Sequence, residues 1–443
     1  MNERIIQLIE EKKFPLLKEE LIEMMAVDIA EVFDSLDKKK SIILFRLLSK
    51  DQAADVFAYL SSQQRKAIVE AIHETKLNEI LDELYFDDMI DFLEEIPANV
   101  VKRILVSSTE EERKLINQFL NYPENSAGSL MTIEYVDLKK EMTVRDALNH
   151  IKKTGVDKET IYTCYVLNEK RKLEGIVSLR KLVLLDDDLL IADIMNEDFI
   201  FTTTLDDQEE VASLVKKYDL ITLPVVDTEN RLVGIITIDD IVDVIDQENT
   251  EDFQKMAAME PNDEEYLLTS VFSLARKRFF WLMILMVSAT VTQAIIQGYE
   301  EVLSSVTILA AFIPMLMDTA GNAGSQSSTL VIRGMALGEI ELVDYLKVLW
   351  KELRVSMVVG LSLGSINLLR MMIFGNEFNV AFTVSITLAF TIVMAKVVGG
   401  TLPIGAKKLK LDPAIMAGPM ITTIVDAMAL VVYFRIATAL LGL

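Results

Sequence analysis

Through the first 120 residues apolar positions recur at helical spacing, with few glycines and few β-branched runs, which predicts a string of helices. EVFDSL (31–36), DVFAYL (55–60) and DMIDFL (88–93) read as degenerate copies of one unit, so short helices stacked into a small superhelix are expected. NYPENSAGSL (121–130) breaks this pattern with Pro, Asn and Gly, and short β-like runs then alternate with helices. Residues 248–272, ENTEDFQKMAAMEPNDEEYLLTSVF, form an acidic amphipathic connection, read as one helix. Five apolar stretches follow, at 279–297, 303–318, 355–374, 380–403 and 413–441. Each is taken as a bilayer crossing, for which about 20 residues are needed; the second is short and is expected to end in a polar loop shielded from lipid.

Composition sharpens this division. The 443 residues carry a formal charge of -24, yet mean hydropathy is +0.31. From Val271 onward there are 13 Lys+Arg and 10 Asp+Glu, so the first 270 residues hold -27 and the rest +3. A large acidic soluble part joined to a nearly neutral apolar part is the layout of a membrane protein with a regulator in the cytosol. One cysteine, Cys164, and two histidines, His73 and His150, exclude a disulfide framework and make a structural zinc site improbable. MNERIIQLIEEKKF lacks the charged-then-apolar order of a cleavable signal, so the N-terminus is expected in the cytosol.

The middle of the chain contains one unit twice. SLMTIEYVDLKKEMTVRDALNHIKK (129–153) answers to DIMNEDFIFTTTLDDQEEVASLVKK (193–217), and YVLNEKRKLEGIVSLRKLVLL (165–185) answers to PVVDTENRLVGIITIDDIVDV (224–244). This duplicated β-α-β-β-α unit, with a Gly-[IV]-[IV]-[ST] strand entering a helix, resembles a tandem CBS pair, a module that senses small ligands.

Basic residues set the expected orientation. Arg276, Lys277 and Arg278 precede the first apolar stretch, Arg333, Lys347, Lys351 and Arg354 separate the second from the third, and Lys407, Lys408 and Lys410 separate the fourth from the fifth. GYEEVL and FGNEFN carry only acids, so the C-terminus is expected outside the cell membrane.

Asp426 lies within ITTIVDAMALVVYF (421–434), where a carboxylate costs about 2.5–3.5 kcal/mol and usually faces a bundle interior or a wet path. A structural salt bridge to Lys396 is the plainer alternative, and Asp318 is a second acid with which Lys396 could pair. Asp412, 14 residues earlier, is expected in the same helix, about 21 Å away at 1.5 Å per residue. Two acids along one line suggest a cation route. The polar run in PMLMDTAGNAGSQSSTLVIRG (314–334), with Asn322, Ser325, Gln326, Ser327 and Ser328, suits either a hard cation's hydration shell or close helix packing. With no Cys or His in the apolar stretches and a single deep acid per chain, hydrated Mg2+ fits better than a many-carboxylate Ca2+ cage.

Together MDTAGNAGSQSSTLVIRG, LDPAIMAGPMITTIVDAMALVVYF, the CBS pair and the acidic helical start resemble the MgtE family of magnesium channels across the whole chain. The resemblance implies a multidomain membrane protein: an all-α superhelical N domain (1–125), an α/β tandem CBS pair (126–247), a connecting or plug helix (248–272) and a five-helix transmembrane domain (273–443). It implies a homodimer in the lipid bilayer with one Mg2+ pathway on the two-fold axis, lined by the second and fifth segments. Asp426 would hold hydrated Mg2+ with its twin, and Thr422 and Asn322 would complete the lining. Mg2+ is also the regulatory ion implied, closing the pore through Asp87, Asp91, Asp207, Asp219, Asp240, Asp243, Glu248, Glu251 and Asp252 in the cytosolic part, and Glu352 with Asp412 near the membrane. Physically, two regulators of -27 each repel until divalent ions bridge them.

Three departures stand out. Leu220 stands where an aromatic ring could stack on adenine, and Lys181 follows Arg180 in the place of an acid to hold ribose, which argues against ATP and leaves Arg180 as the candidate nucleotide contact. Gly418 stands where some relatives carry Asn, so one polar contact to the ion's water shell is expected to be missing. The competing functions are an ion-coupled divalent cation exchanger in which Asp426 and Lys396 alternate partners, and a CBS sensor that the membrane part merely anchors. No nucleophile–base arrangement, phosphate loop or nucleic-acid signature is visible, so no enzymatic activity is expected.

Overall fold

The computed structural model describes all residues except Met1, His73, Asp263, Glu264, Glu265, Leu268 and Leu443. The chain divides into two compact units, residues 1–245 and 246–443.

Among the described residues, the first unit begins with ten short helices between Asn2 and Phe119. Several open on side-chain caps that satisfy otherwise orphaned N–H groups, such as Asp37, Ser49, Ser61 and Thr109. The repeated motifs each contribute one phenylalanine, Phe33, Phe57 and Phe92, all buried. Phe45 links the first two, with centroids 6.4 and 6.1 Å apart, and Phe57 meets Phe92 edge-on at 5.0 Å. The sequence repeat is thus a ladder of core aromatics, each rung adding specific ring–ring contact to ordinary burial.

The duplicated region forms two matching three-stranded sheets. In one, β1 (Val136–Leu138) runs parallel to β2 (Thr163–Leu167), which pairs antiparallel with β3 (Leu173–Ser178). In the other, β4 (Thr202–Thr203), β5 (Thr222–Val226) and β6 (Leu232–Thr237) repeat that order. Gly175 and Gly234 hold equivalent registers, opposite Val166 and Val225. Each lets the segment before the other repeat cross its strand: a Cβ on Gly175 would lie 3.1 Å from the Asn196 carbonyl, and one on Gly234 2.8 Å from that of Thr132. The repeats are therefore locked together through their glycines.

Helix α1 (Ile238–Met256) leaves β6 and ends well short of residue 272. This corrects the expected helix over 248–272. Ala258 adopts φ +53, Pro261 lacks a donor, and the described residues from 257 to 270 are non-helical.

The second unit holds α2 (Val271–Gly298), α3 (Ile313–Ala336), α4 (Tyr345–Ile373), α5 (Phe378–Lys408) and α6 (Gly418–Leu441). Among the described residues four helical stretches are long and apolar enough to cross a membrane, those containing α2, α4, α5 and α6. The expected crossing at 303–318 is not one helix. A short helix (Glu300–Ser305) and a 3-10 segment (Thr307–Phe312) precede α3, which starts where Pro314 suits a first turn. The polar run expected as a loop is instead the middle of α3, because its small residues pack. Ala320, Gly321, Ala323, Gly324, Ser327 and Ser328 are all buried.

The closest approach is between α3 and α5, where a Cβ on Gly399 would stand 2.2 Å from the Gly324 carbonyl oxygen. Close backbone contact of this kind substitutes for a hydrophobic drive that lipid does not supply. Gly399→Ala is accordingly expected to lower the stability of the helical unit by about 1–3 kcal/mol or more, since two helix backbones must separate. Thermal unfolding in detergent checks this, and an unchanged midpoint would refute the crossing.

Candidate functional site

Three groups of side chains concentrate the candidate chemistry. The deepest is on α6. Asp426 is half-buried, and its Oδ1 is buried without a hydrogen-bond partner among the described residues. Gly321 of α3 brings backbone against this spot: a Cβ there would lie 3.1 Å from Thr422 Cγ2 and 3.5 Å from Asp426 Oδ1. Thr422 turns its hydroxyl back onto the Pro419 carbonyl at 2.9 Å, so it offers only acceptor lone pairs outward. Asn322 is exposed on α3, in line with Asp318, Gln326 and Thr329, also exposed. The steps of four, four and three residues form a polar stripe down one helix face.

Neither pairing suggested for Lys396 forms. It is buried at 6% exposure, its Nζ donates to Gln326 Oε1 at 3.4 Å, and among the described residues it has no ion pair with Asp426 or Asp318. The reason is reach: Lys396 is directed toward the Gln326 turn of α3, more than a turn beyond Gly321, where Asp426 packs.

The second group joins the end of α1 to the start of α6. Asp412 does not lie on α6; it caps the 3-10 turn Pro413–Met416, its Oδ1 accepting from Ala414 N at 2.8 Å. Its Oδ2 lies 2.7 Å from Lys255 Nζ, which also meets Glu251 Oε1 at 2.6 Å. Burial alone would lower the Lys255 pKa, but Asp412 and Glu251 raise it above the ordinary lysine value. Asp252 is pushed up to about 6 by burial and Asp412, against Lys255, with Glu248 and Glu251 adding. Lys255, a built-in cation among four acids, was not legible as such in the sequence. Gly418 lies beside this group with φ +40, and a Cβ there would stand 2.5 Å from the Met256 carbonyl oxygen. A close backbone approach thus accounts for glycine at this position. Glu352, on α4, accepts from Ser327 Oγ at 2.6 Å and packs on Gly400, where a Cβ would lie 2.7 Å from its Cγ.

The third group is in the first unit. Asp87 and Asp91 stand one turn apart on the helix Phe86–Glu95, within electrostatic reach of Asp240 at the start of α1. Asp240 Oδ2 accepts from Thr237 Oγ1 at 2.5 Å. Asp88, Glu134, Glu159 and Asp239 join them; sequence reasoning singled out none of the four, and Glu134 and Glu159 come from loops far along the chain from Asp87 and Asp240. Glu134 Oε2 accepts from Phe86 N at 3.2 Å, and Glu159 Oε2 is buried without a partner among the described residues. Burial, then Asp240, Asp88 and Glu159, hold Asp87 well above the usual carboxylate range. Burial and then Glu94 and Asp88 raise Asp91 to about 7; burial and then Asp240, Asp239 and Glu134 raise Glu159 to about 8. Asp240 rises to about 6 by burial, against the Thr237 hydrogen bond.

Other candidates remain apart. Asp207 and Asp219 cap opposite ends of the helix Gln208–Tyr218, too far apart within one chain to share an ion. Asp243 is exposed one turn beyond Asp240. Arg180 is exposed, while Lys181 Nζ donates to the Ile194 carbonyl. Among the described residues no three Asp, Glu, His or Cys side chains form a metal cage.

Comparison with known proteins follows the same divisions. Residues 313–436 match the family described as MgtE, divalent cation transporter; residues 24–125 match the MgtE intracellular N domain, and 127–187 and 191–247 match CBS domains. The chain is 36% identical over 431 residues to the magnesium transporter MgtE of Thermus thermophilus, covering 96% of this chain and 95% of that one. It is 33% identical to the magnesium transporter MgtE of Bacillus subtilis, covering 98% and 96%. The crystal structure of the cytosolic domain of the Mg2+ channel MgtE in complex with ATP aligns with a TM-score of 0.53 at 36% identity, over 55% of this chain and 100% of that one.

Proposed function

The chain belongs to the MgtE family, whose members are transporters and not enzymes, and on that premise we propose that it is a homodimeric Mg2+ channel closed by Mg2+ on its acidic cytosolic domains. The observation that carries this reading is the unpartnered buried Oδ1 of Asp426 beside the polar stripe of α3. Asp318, Asn322, Gln326 and Thr329 cannot face acyl chains at low cost, so a second copy and a water-filled path cover them. In this reading α3 is the fifth crossing, more polar than the other four because it lines the path.

At the two-fold axis two Asp426 carboxylates balance one dication, and Thr422 and Asn322 accept from its water. Basic connections place the N-terminus and both acidic groups in the cytosol, and the C-terminus outside. The inside-negative potential then drives entry with about 2.3 kcal/mol per charge per 100 mV, twice that for Mg2+. Closure follows from charge. Asp87, Asp91 and Asp240 with Glu159, and Glu248, Glu251, Asp252 and Asp412 around Lys255, are crowded carboxylates that a divalent ion relieves. An ion that binds only the compact arrangement shifts the population toward it. Asp207, Asp219 and Asp243 would contribute across the dimer, and Glu352 would anchor α3 to α4. ATP, in complex with the cytosolic domain in the aligned crystal structure, is a ligand to be tested at this chain's CBS pair through Arg180. The exchanger reading loses its main support, since Asp426 and Lys396 do not pair.

Recording from purified protein in a voltage-clamped bilayer tests the proposal. An inward Mg2+ current that falls as cytosolic Mg2+ rises through the millimolar range is expected. No divalent current would overturn the channel, and a current indifferent to cytosolic Mg2+ would overturn the feedback.

A further inference from the structure

A cavity of about 440 Å³ opens at the first turns of α2, with Lys255, Met259, Glu260, Arg276, Phe280 and Trp281 among its walls. Its chemistry is divided. Arg276 supplies a guanidinium that is exposed and has no hydrogen bond or ion pair among the described residues. Phe280 and Trp281 lie one turn further along α2, where the helix has turned fully apolar. Neighbouring Lys277 is occupied: its Nζ donates to the Pro261 carbonyl and to Asn262 Oδ1, both at 2.7 Å. Those bonds, with Glu260 N donating to the Lys277 carbonyl at 3.2 Å, hold the 260–262 segment along α2 and make a wall of it. Lys255 faces the cavity but its ammonium is already taken by Glu251 and Asp412.

All the charges of α2, Arg276, Lys277 and Arg278, fall in its first turns, and the remainder is long and apolar enough to span a bilayer. The cavity therefore sits where a membrane helix changes from charged to greasy, the level of lipid headgroups, where Trp is favoured. We propose that it is a binding site for the headgroup of an anionic polyol phospholipid such as phosphatidylglycerol. The Arg276 guanidinium takes the phosphate oxygens through its fork of N–H donors, and Phe280, Trp281 and Met259 cover the first carbons of the acyl chains. Glu260, on the same wall, accepts from headgroup hydroxyls and opposes a second anionic charge, which disfavours free phosphate. Since Lys255 lines the cavity while holding Asp412, the lipid becomes part of the surroundings of that acid cluster. This assignment needs only the membrane placement of α2, not the identity of the ion transported.

Trp281 provides a direct probe, because the chain has two tryptophans and Trp350→Phe leaves Trp281 alone. The full-length W350F protein is reconstituted in phosphatidylcholine vesicles containing a small equal fraction of phosphatidylglycerol, phosphatidylcholine or phosphatidylethanolamine brominated high in the acyl chain. Phosphatidylglycerol is expected to quench Trp281 with about fivefold preference, the equilibrium factor of one cation beside an anionic surface. Arg276→Gln should remove that preference, and Arg278→Gln, outside the cavity, should keep it. Equal quenching by all three lipids with Arg276 intact, or preference for phosphatidylethanolamine, would overturn the proposal. So would loss of the preference on adding millimolar inorganic phosphate, which would assign the site to a soluble anion.

Discussion

Asp426→Asn is expected to lower Mg2+ flux roughly a hundredfold while leaving the protein folded. In water each carboxylate about 5 Å from a hydrated dication contributes about 1.7 kcal/mol, and the dimer loses two, about 3 kcal/mol, or some two decades at 1.4 kcal/mol each. Asn keeps the volume and offers a carbonyl, so packing against Gly321 is preserved and only charge is lost. Asp426→Ala should be at least as severe, and Asp426→Glu should retain part of the flux. Growth of a magnesium-import-deficient strain, with expression and elution volume as controls, reads the effect. Full rescue by well-expressed Asp426→Asn would remove Asp426 from the path, leaving its unpartnered oxygen without a function.

The second large effect is a pH-dependent response of the first unit to Mg2+. Carboxylates unfold to pKa values of about 4, whereas Asp240, Asp91 and Glu159 stand at about 6, 7 and 8 in the fold. A folded pKa above the unfolded one means the folded state holds extra protons between them. The stability these groups contribute is complete below about pH 4 and is lost as pH climbs through 6 to 8. Mg2+ competes with those protons, so its protection must run the opposite way, absent near pH 5 and largest near pH 8. At about ten times its Kd, Mg2+ should slow hydrogen exchange in Phe86–Glu95 roughly tenfold at pH 8 and less than twofold at pH 5. The double variant Asp87→Asn, Asp240→Asn should be steadier than the parent without Mg2+ at pH 8, gain little from the ion, and pass current that cytosolic Mg2+ no longer shuts. Equal Mg2+ protection at both pH values would mean that these carboxylates do not bind it.

Where the sequence succeeded, a period or a repeat had one physical solution. Phe33, Phe57 and Phe92 recur in similar frames, and the fold stacks them. Gly175 and Gly234 mark equivalent turns, and both serve as crossings. Four apolar runs became long helices because nothing else buries twenty such residues in lipid. The misses came where helix and loop share a composition. GNAGSQSST reads as a loop by its glycines and serines, yet α5 and α6 press on those same small side chains and hold them helical.

The chain order by itself determined the division into an acidic and an apolar half, the doubled α/β unit, and a lone carboxylate in a greasy helix, because composition, self-similarity and hydropathy are properties of position along the chain. Only the tertiary structure decided that Lys396 turns to Gln326 rather than to an acid, that Lys255 bridges Glu251 and Asp412, and that Glu134 and Glu159 crowd Asp87. Electrostatic energy depends on distance in space, and residues tens of positions apart carry no mark in the sequence of which neighbour they will meet.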